Sequence, residues 1–187
     1  PRARLFAFGR GVPGLPSKSM NYDLGSLGWD DAFAEAAARA GTGDLPGRVS
    51  RVDRGVCTVL GADGPVRASL GGGVLAAASR DPVHLPCAGD WVLWRTWPDD
   101  RITLETVLPR RTSIVRRTAD KDSTGQVLAA NVEAAAVVEP MHPAPDVGRI
   151  ERLLALGWES GARPLVALTK CDLAPDPDLV AADVARV

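Results

Sequence analysis

Four residues near the carboxyl end of the chain have the types and spacing to do chemistry. Thr169, Lys170, Cys171 and Asp172 directly follow the apolar run 164–168. An apolar run of this length, rich in branched side chains, is typical of a buried parallel strand. Because ligands bind at the carboxyl ends of such strands, we expect these side chains at a binding edge.

The pattern Thr-Lys-x-Asp suits a guanine base. The carboxylate of Asp172 can accept hydrogen bonds from two adjacent donors, and guanine offers that pair in N1–H and its 2-amino group. Adenine lacks the pair and would leave the carboxylate unsatisfied, so the contact would discriminate between the bases. The Lys170 stem can cover the base and the Thr169 hydroxyl can hold a neighbouring loop, with Cys171 at the variable position. The alternative is that Asp172 only caps the next helix.

The segment before this motif predicts the sheet that positions it. An apolar run at 134–138 is followed by Asp146, which can cap a helix, and then by the strand at 164–168. Strand, helix and strand of these lengths form one βαβ unit with parallel strands and a right-handed crossover. Residues 131–187 are therefore predicted to begin an α/β domain.

Residues 45–109 read as a run of short strands separated by turn residues. Three strands, a long connection over 71–88 and two more strands predict an all-β five-stranded OB barrel. Such barrels often bind oligonucleotides with a basic groove and stacking aromatic rings. Trp91 and Trp94 lie three positions apart, so they should face opposite sides of one strand. The outward ring could stack on a base or pack against the neighbouring domain.

The stretch between these two regions carries the strongest local charge asymmetry of the chain. Guanidinium groups separated by a short apolar stretch can lie on successive phosphates, which predicts contact with RNA. The alternative is a solvated linker with salt bridges to nearby acidic residues. We predict a basic linker over 110–130 whose RNA-binding residues are Arg110, Arg111, Arg116, Arg117 and Lys121.

The amino-terminal region is predicted in two parts. Residues 1–26 are expected to form a flexible arm, in which 1–19 are either upstream sequence or a basic arm that touches nucleic acid. Residues 27–44 contain a short amphipathic helix, with Asp30 and Asp31 near its start, where carboxylates favour the free N–H groups.

Composition sets limits on the class of protein. The chain has 187 residues, 45% of them hydrophobic, and a net charge of −1, so it gives no global electrostatic argument for nucleic acid. Its three cysteines, Cys57, Cys87 and Cys171, are far apart and form no Cys-x-x-Cys pair, which suits a reducing compartment and predicts no metal site. We see neither a membrane span nor a signal peptide and expect a soluble cytoplasmic protein.

Several segments, taken in order, resemble the ribosome small-subunit-dependent GTPase A family, the circularly permuted GTPases of ribosome maturation. The resemblance runs from about residue 27 to about residue 178. The matching segments are Pro-Gly-Arg-Val at 46–49, Ala-Gly-Asp-Trp-Val at 88–92, Leu-Pro-Arg-Arg-Thr-Ser at 108–113, Gln-Val-Leu-Ala-Ala-Asn-Val at 126–132 and Leu-Thr-Lys-Cys-Asp-Leu at 168–173.

This resemblance implies an OB domain, a permuted GTPase domain and a small zinc-binding carboxyl-terminal domain. In the permuted order the guanine motif precedes the phosphate-binding loop. Asp172 would bind the guanine edge, Lys170 would cover the base, and Thr169 would stand where Asn is more usual. The resemblance also implies GTP with Mg²⁺, structural Zn²⁺ held by ligands outside this chain, and a monomer that contacts the RNA of the small ribosomal subunit during late maturation.

The chain itself has no Gly-x-x-x-x-Gly-Lys-Ser/Thr segment. Phosphoryl transfer depends on groups positioned around the phosphates, so we predict no catalytic residue here. Residues 1–187 alone are expected neither to bind GTP tightly nor to hydrolyse it. Two other interpretations stay open: a non-catalytic OB-fold module that binds RNA or the ribosome, and a scaffold without a nucleic-acid partner.

Overall fold

A computed structural model describes residues 21–117 and 125–187. No helix in those two ranges is long and apolar enough to cross a membrane. In chain order the helices and strands are α1 (Asp31–Ala40), β1 (Leu45–Asp53), β2 (Val56–Gly61), β3 (Gly64–Leu70), α2 (Gly72–Arg80), β4 (Trp91–Thr96), β5 (Ile102–Val107), β6 (Ser113–Arg117), β7 (Gly125–Ala130), β8 (Ala134–Pro140), α3 (Val147–Glu159), β9 (Arg163–Thr169) and α4 (Pro177–Val184). Short 3₁₀ turns lie at Gly25–Leu27, Pro82–His84 and Cys171–Leu173.

The first five strands close into a barrel in the order β1-β2-β3-β5-β4, with β4 pairing back to β1. The predicted five-stranded barrel is confirmed. The circle closes through a short parallel contact between β3 and β5, while the other neighbours are antiparallel. Alternate side chains point inward and fill the interior, as the period of a strand requires. The buried members of this core include Val49, Val59, Val92, Trp94 and Leu104.

The Trp94 indole fits inside the barrel because two neighbouring positions are glycine. A Cβ atom on Gly47 would lie 2.4 Å from Cγ1 of Val59 and 3.1 Å from Nε1 of Trp94. A Cβ atom on Gly61 would lie 3.1 Å from the Trp94 ring. The lack of a side chain at Gly47 of β1 and at Gly61 of β2 therefore provides the space that the Trp94 ring occupies.

The second tryptophan of β4 is buried on the outer side of the barrel. Trp91 is 1% exposed and Trp94 is 8% exposed, so neither ring is available to stack on a base. The two rings face opposite sides, as predicted, but α1 covers the outward one. Trp29 meets Trp91 edge-on at 4.8 Å between ring centroids, and Phe33 of α1 packs beside them. The outward ring thus packs against the amino-terminal helix rather than a neighbouring domain or RNA.

Within the stretch predicted as a basic linker, 110–130, two segments form an antiparallel hairpin. β6 pairs with β7 from Ser113 opposite Ala130 to Arg117 opposite Gly125. Val115 and Val127 pack with the buried Cys87 beside the barrel, which is why this stretch is ordered as sheet. Arginine pairs on either side of the apolar residues concealed the strand pattern. Residues 118–124, which include Lys121, lie outside the described ranges.

The predicted βαβ unit is present. β8 and β9 pair in parallel from Ala134 opposite Arg163 to Pro140 opposite Thr169, and α3 connects them. The helix lies close to the sheet at Gly157, where a Cβ atom would be only 2.9 Å from Cβ of Pro164. Val138, on the opposite face, is 58% exposed, so α3 covers one face of this small sheet.

We predict that Gly47→Ala destabilises the chain by about 1–3 kcal/mol, because an added methyl group must displace Val59 or Trp94 in a filled core. Denaturant unfolding followed by circular dichroism measures the change. Gly72→Ala is the matched control, since nothing lies within 4 Å of its added Cβ. Equal stability of the two variants would contradict the packing described for Trp94.

Candidate functional site

The carboxyl ends of β8 and β9 are joined by two hydrogen bonds. The Thr169 hydroxyl donates to the carbonyl oxygen of Glu139 at 3.3 Å, and the Met141 amide donates to the carbonyl oxygen of Thr169 at 2.8 Å. Thr169 is the last residue of β9, so the motif leaves the sheet from a fixed point.

Lys170 turns the chain at this point. Its φ of 57° and ψ of 36° lie in the left-handed region, which costs a residue with a side chain roughly 1–2 kcal/mol. The Leu173 amide donates to the Lys170 carbonyl oxygen at 3.1 Å and closes the 3₁₀ turn that carries Cys171 and Asp172. Backbone in an uncommon conformation next to a sheet edge is a frequent feature of binding sites.

Asp172 does not cap the following helix. Asp176 caps α4, accepting a hydrogen bond from the Leu179 amide at 3.0 Å. The Asp172 carboxylate is exposed, and within the described ranges it makes neither a hydrogen bond nor an ion pair. The side chains of Thr169, Lys170 and Cys171 are also exposed. The structure therefore brings all four predicted residues to one open edge.

The basic residues of the predicted RNA set are separated by their surroundings. Arg110 forms a two-pronged ion pair with Asp90, with distances of 2.7 Å from Nε to Oδ1 and 2.8 Å from Nη2 to Oδ2. It also donates to the carbonyl oxygens of Val83 and Leu85 at 2.6 and 2.8 Å. Its side chain is 14% exposed and that of Asp90 is 0% exposed. Arg110, predicted to bind RNA, is thus mostly buried, and its guanidinium is occupied by Asp90 and two carbonyl groups.

Charge and burial act in opposite directions on this pair. Burial by itself lowers the pKa of Arg110, but the hydrogen bonds and negative charge of Asp90 raise it above its ordinary value. The Cys87 amide donates to Oδ2 of Asp90 at 2.8 Å, so the carboxylate also orders the loop before β4. Every oxygen of Asp90 therefore has a partner in the interior.

The other arginines differ in how much of the guanidinium remains available. Arg111 pairs with Asp30 and lies over the Phe33 ring at 4.0 Å, and its side chain is about half exposed. Its hydrogen bond to Asp30 lowers the pKa of that carboxyl group. Arg116 is exposed on β6, with its Nη2 3.4 Å from Oε1 of Gln126. Arg117 ends the same strand.

Two residues that sequence reasoning missed connect the barrel to the α/β segment. Arg48 donates to the carbonyl oxygens of Leu27, Gly89 (3.3 Å) and Asn131 (3.0 Å). Asn131, with a left-handed φ of 53°, donates to the Gly89 carbonyl oxygen at 3.1 Å and accepts from the Arg111 amide at 2.9 Å. Asn131 stands in one of the segments that carry the resemblance, but neither periodicity nor charge assigned it a role.

The described residues do not fit the metals that the resemblance implies. They contain no group of three or more His, Cys, Asp or Glu residues that could hold an ion. Burial, with a smaller contribution from Asp90, raises the pKa of Cys57 to about 11 and that of Cys87 to about 12, so both thiols stay protonated at neutral pH. Protonated thiols are poor zinc ligands.

Residues 107–186 match the family described as RsgA GTPase. The small ribosomal subunit biogenesis GTPase RsgA of Streptomyces coelicolor is 51% identical over 162 residues, which are 86% of this chain and 43% of that protein. The protein of the same name from Streptomyces avermitilis is 46% identical over 88% of this chain and 43% of its own length. The chain is therefore similar to the RsgA GTPase family over most of its own length.

Two solved structures share the fold of this chain. The circularly permuted GTPase YloQ superposes with a TM-score of 0.54 at 20% identity, covering 78% of this chain and 47% of YloQ. YjeQ from Thermotoga maritima superposes with a TM-score of 0.55 at 18% identity, covering 76% of this chain and 47% of YjeQ. The expected architecture, a barrel followed by the first part of a permuted GTPase domain, is confirmed. The chain spans less than half the length of the two Streptomyces relatives.

We predict that Arg110→Met destabilises the chain by about 3–5 kcal/mol, because it leaves the Asp90 carboxylate buried without a counter-ion. Urea unfolding measures the loss. Arg39→Met removes a pair whose two side chains are both about 70% exposed, so little or no change is expected there. A loss at Arg110 no larger than that at Arg39 would show that the interior pair is dispensable.

Proposed function

We propose that this chain is the amino-terminal part of a GTPase that acts in late maturation of the small ribosomal subunit and reads guanine through Asp172. The observation that supports the proposal most directly is the position of this carboxylate. It is exposed at the carboxyl edge of a parallel sheet, and both of its oxygens are open to a ligand. The names of the two Streptomyces relatives, small ribosomal subunit biogenesis GTPases, support the wider role.

In the proposed site, Asp172, Lys170 and Thr169 have different roles. Asp172 accepts from N1–H and the 2-amino group, and the Lys170 stem lies along the flat face of the base. The Thr169 hydroxyl is already occupied by the carbonyl oxygen of Glu139. We therefore assign Thr169 to joining the strands, whereas an Asn at that position could reach farther. Groups that hold the phosphates and Mg²⁺ are proposed to come from outside residues 1–187.

Residues 1–187 on their own are proposed to be inactive. Base contacts alone leave most of the polar groups of GTP without partners, and phosphoryl transfer needs charge neutralisation around the phosphates. Hydrolysis of GTP by purified 1–187 that is abolished by Asp172→Ala would contradict this.

We predict that Asp172→Asn, in the complete gene product, exchanges guanine preference for xanthine preference. The Asn amide presents one acceptor and one donor, which match N1–H and the 2-oxo group of xanthine but not the two donors of guanine. GTP binding should weaken by about 100-fold or more and XTP binding should strengthen, as competition with a fluorescent nucleotide measures.

Asp176→Asn is the matched control for this prediction. It makes the same change of charge four residues away, at the cap of α4, and should leave the base preference as it was. If Asp172→Asn keeps the guanine preference, Asp172 does not read the base.

We propose that ribosomal RNA is contacted by the hairpin and the adjoining barrel surface. Arg116, Arg117 and Lys121 remain in the proposed set, together with the half-exposed Arg111. Arg116 projects from the hairpin, where a guanidinium can lie on a phosphate. The protein is proposed to act as a cytoplasmic monomer, since its partner in this role is the ribosomal particle.

We predict that Arg116→Ser weakens binding to the small subunit and lowers the salt dependence of log K by roughly 0.7–0.9, the effect of one lost phosphate contact. Binding measured between 50 and about 200 mM salt tests this. Arg39→Ser, on the exposed side of α1, serves as the control. A flat salt response in the unmodified protein would favour the scaffold without a nucleic-acid partner.

The non-catalytic RNA-binding module remains the second candidate, because a closed barrel beside a hairpin that exposes Arg116 would need no nucleotide to bind RNA. In that case ribosome binding by the complete gene product would not respond to GTP, and Asp172→Asn would change nothing.

A further inference from the structure

Glu139 is a carboxylate in an unusual place, the carboxyl end of β8. Its side chain is only 5% exposed and faces Arg149 in the first turn of α3. Nη2 of Arg149 lies 3.4 Å from Oε2 of Glu139, within ion-pair range. The geometry falls short of a hydrogen bond, and Oε2 is buried without a hydrogen-bond partner among the described residues. A buried carboxylate with one distant counter-ion contributes little to the net stability of the fold. The presence of Glu139 at this position therefore needs another explanation.

The backbone of the same residue is connected to the guanine motif. The carbonyl oxygen of Glu139 accepts the hydrogen bond from the Thr169 hydroxyl, and two residues later the Met141 amide bonds the Thr169 carbonyl oxygen. Glu139 is therefore held on one side by α3 and on the other by the last residue of β9. Lys170 and Asp172 follow immediately from that residue.

We propose that Glu139, held by Arg149, is a positioning residue for guanine recognition. The attraction between the two charges holds the end of β8 near α3, and the hydrogen bond from the Thr169 hydroxyl connects that end to the turn that carries Asp172. Glu139 itself contacts no nucleotide. This inference rests on the proposed reading of guanine by Asp172.

Guanine selectivity is the property that such positioning would control. Two parallel hydrogen bonds to one carboxylate require both oxygens to be in register with both donors. A displacement of about 1 Å can retain the bond to N1–H and lose the bond to the 2-amino group. Selectivity for guanine over hypoxanthine, which lacks the 2-amino group, would then fall more than overall affinity.

A purely structural role makes a different prediction. A carboxylate near the start of α3 also favours the helix dipole, so its loss could lower stability without affecting the base site. Asp146 provides a comparison, because it caps the same helix by accepting from the Arg149 amide at 2.9 Å. Its hydrogen bonds among the described residues go to the first turn of α3 and to neither β8 nor β9.

The experiment compares dissociation constants for GDP and IDP, together with the melting temperature, in the complete gene product. The unmodified protein should prefer GDP by roughly 10- to 100-fold, the effect of one hydrogen bond to a charged acceptor. We expect Glu139→Gln and Arg149→Met to reduce this ratio at least fivefold. Arg149→Lys keeps the charge and should restore most of it. Asp146→Asn should lower the melting temperature and leave the ratio unchanged.

The results separate this inference from the function on which it rests. If both substitutions at Glu139 and Arg149 leave the GDP/IDP ratio unchanged while Asp172→Asn removes the guanine preference, the positioning role is overturned and the proposed function stands. An equal fall of the ratio in Asp146→Asn also overturns it, since any disturbance of α3 would then suffice. If Asp172→Asn keeps the guanine preference, both fail. Arg149, whose side chain is 54% exposed, gives a readout even if Glu139→Gln does not fold.

Discussion

The interior ion pair between Asp90 and Arg110 is the constraint on which the rest of the structure depends. Asp90 lies just before β4 and Arg110 just after β5, so the pair fastens together the ends of two adjacent barrel strands. The same guanidinium holds two carbonyl groups of the connection between β3 and β4. With one partner removed, the remaining charge would be left without water and without compensation, which is why neither residue can be replaced alone at small cost.

The loop that carries Asp90 is also where the α/β segment attaches. A Cβ atom on Gly89 would lie 2.0 Å from the carbonyl oxygen of Ala130, so the two backbones meet with no room for a side chain. Asn131 bonds the same glycine, and Arg48 reaches both. The barrel, the turn before α1 and the start of the α/β segment are therefore joined by the same few hydrogen bonds, and a movement of any of them must rearrange these bonds.

The sequence was informative where structure is local and uninformative where it depends on distant partners. The alternation of apolar and polar residues, together with turn residues, predicted the barrel strands, and the apolar runs predicted the βαβ unit. The Thr-Lys-x-Asp motif was correctly placed at the carboxyl end of a parallel strand. The hairpin of β6 and β7 was missed because arginines flank its few apolar residues. The role of Arg110 was missed because its partner lies 20 residues away and no local pattern distinguishes an interior guanidinium from a solvated one. Whether the outward Trp91 was free or covered depended on the docking of α1, which is a tertiary event.

The two tryptophans of β4 are intrinsic fluorescence probes of different parts of the fold. The indole of Trp94 lies in the barrel interior among aliphatic side chains, and that of Trp91 lies against the rings of Trp29 and Phe33 beneath α1. Detachment of that helix would change the surroundings of Trp91 and of Trp29, which packs against it, whereas those of Trp94 would change only when the strands part. Fluorescence of these indoles can thus distinguish loosening of the helix from opening of the barrel core.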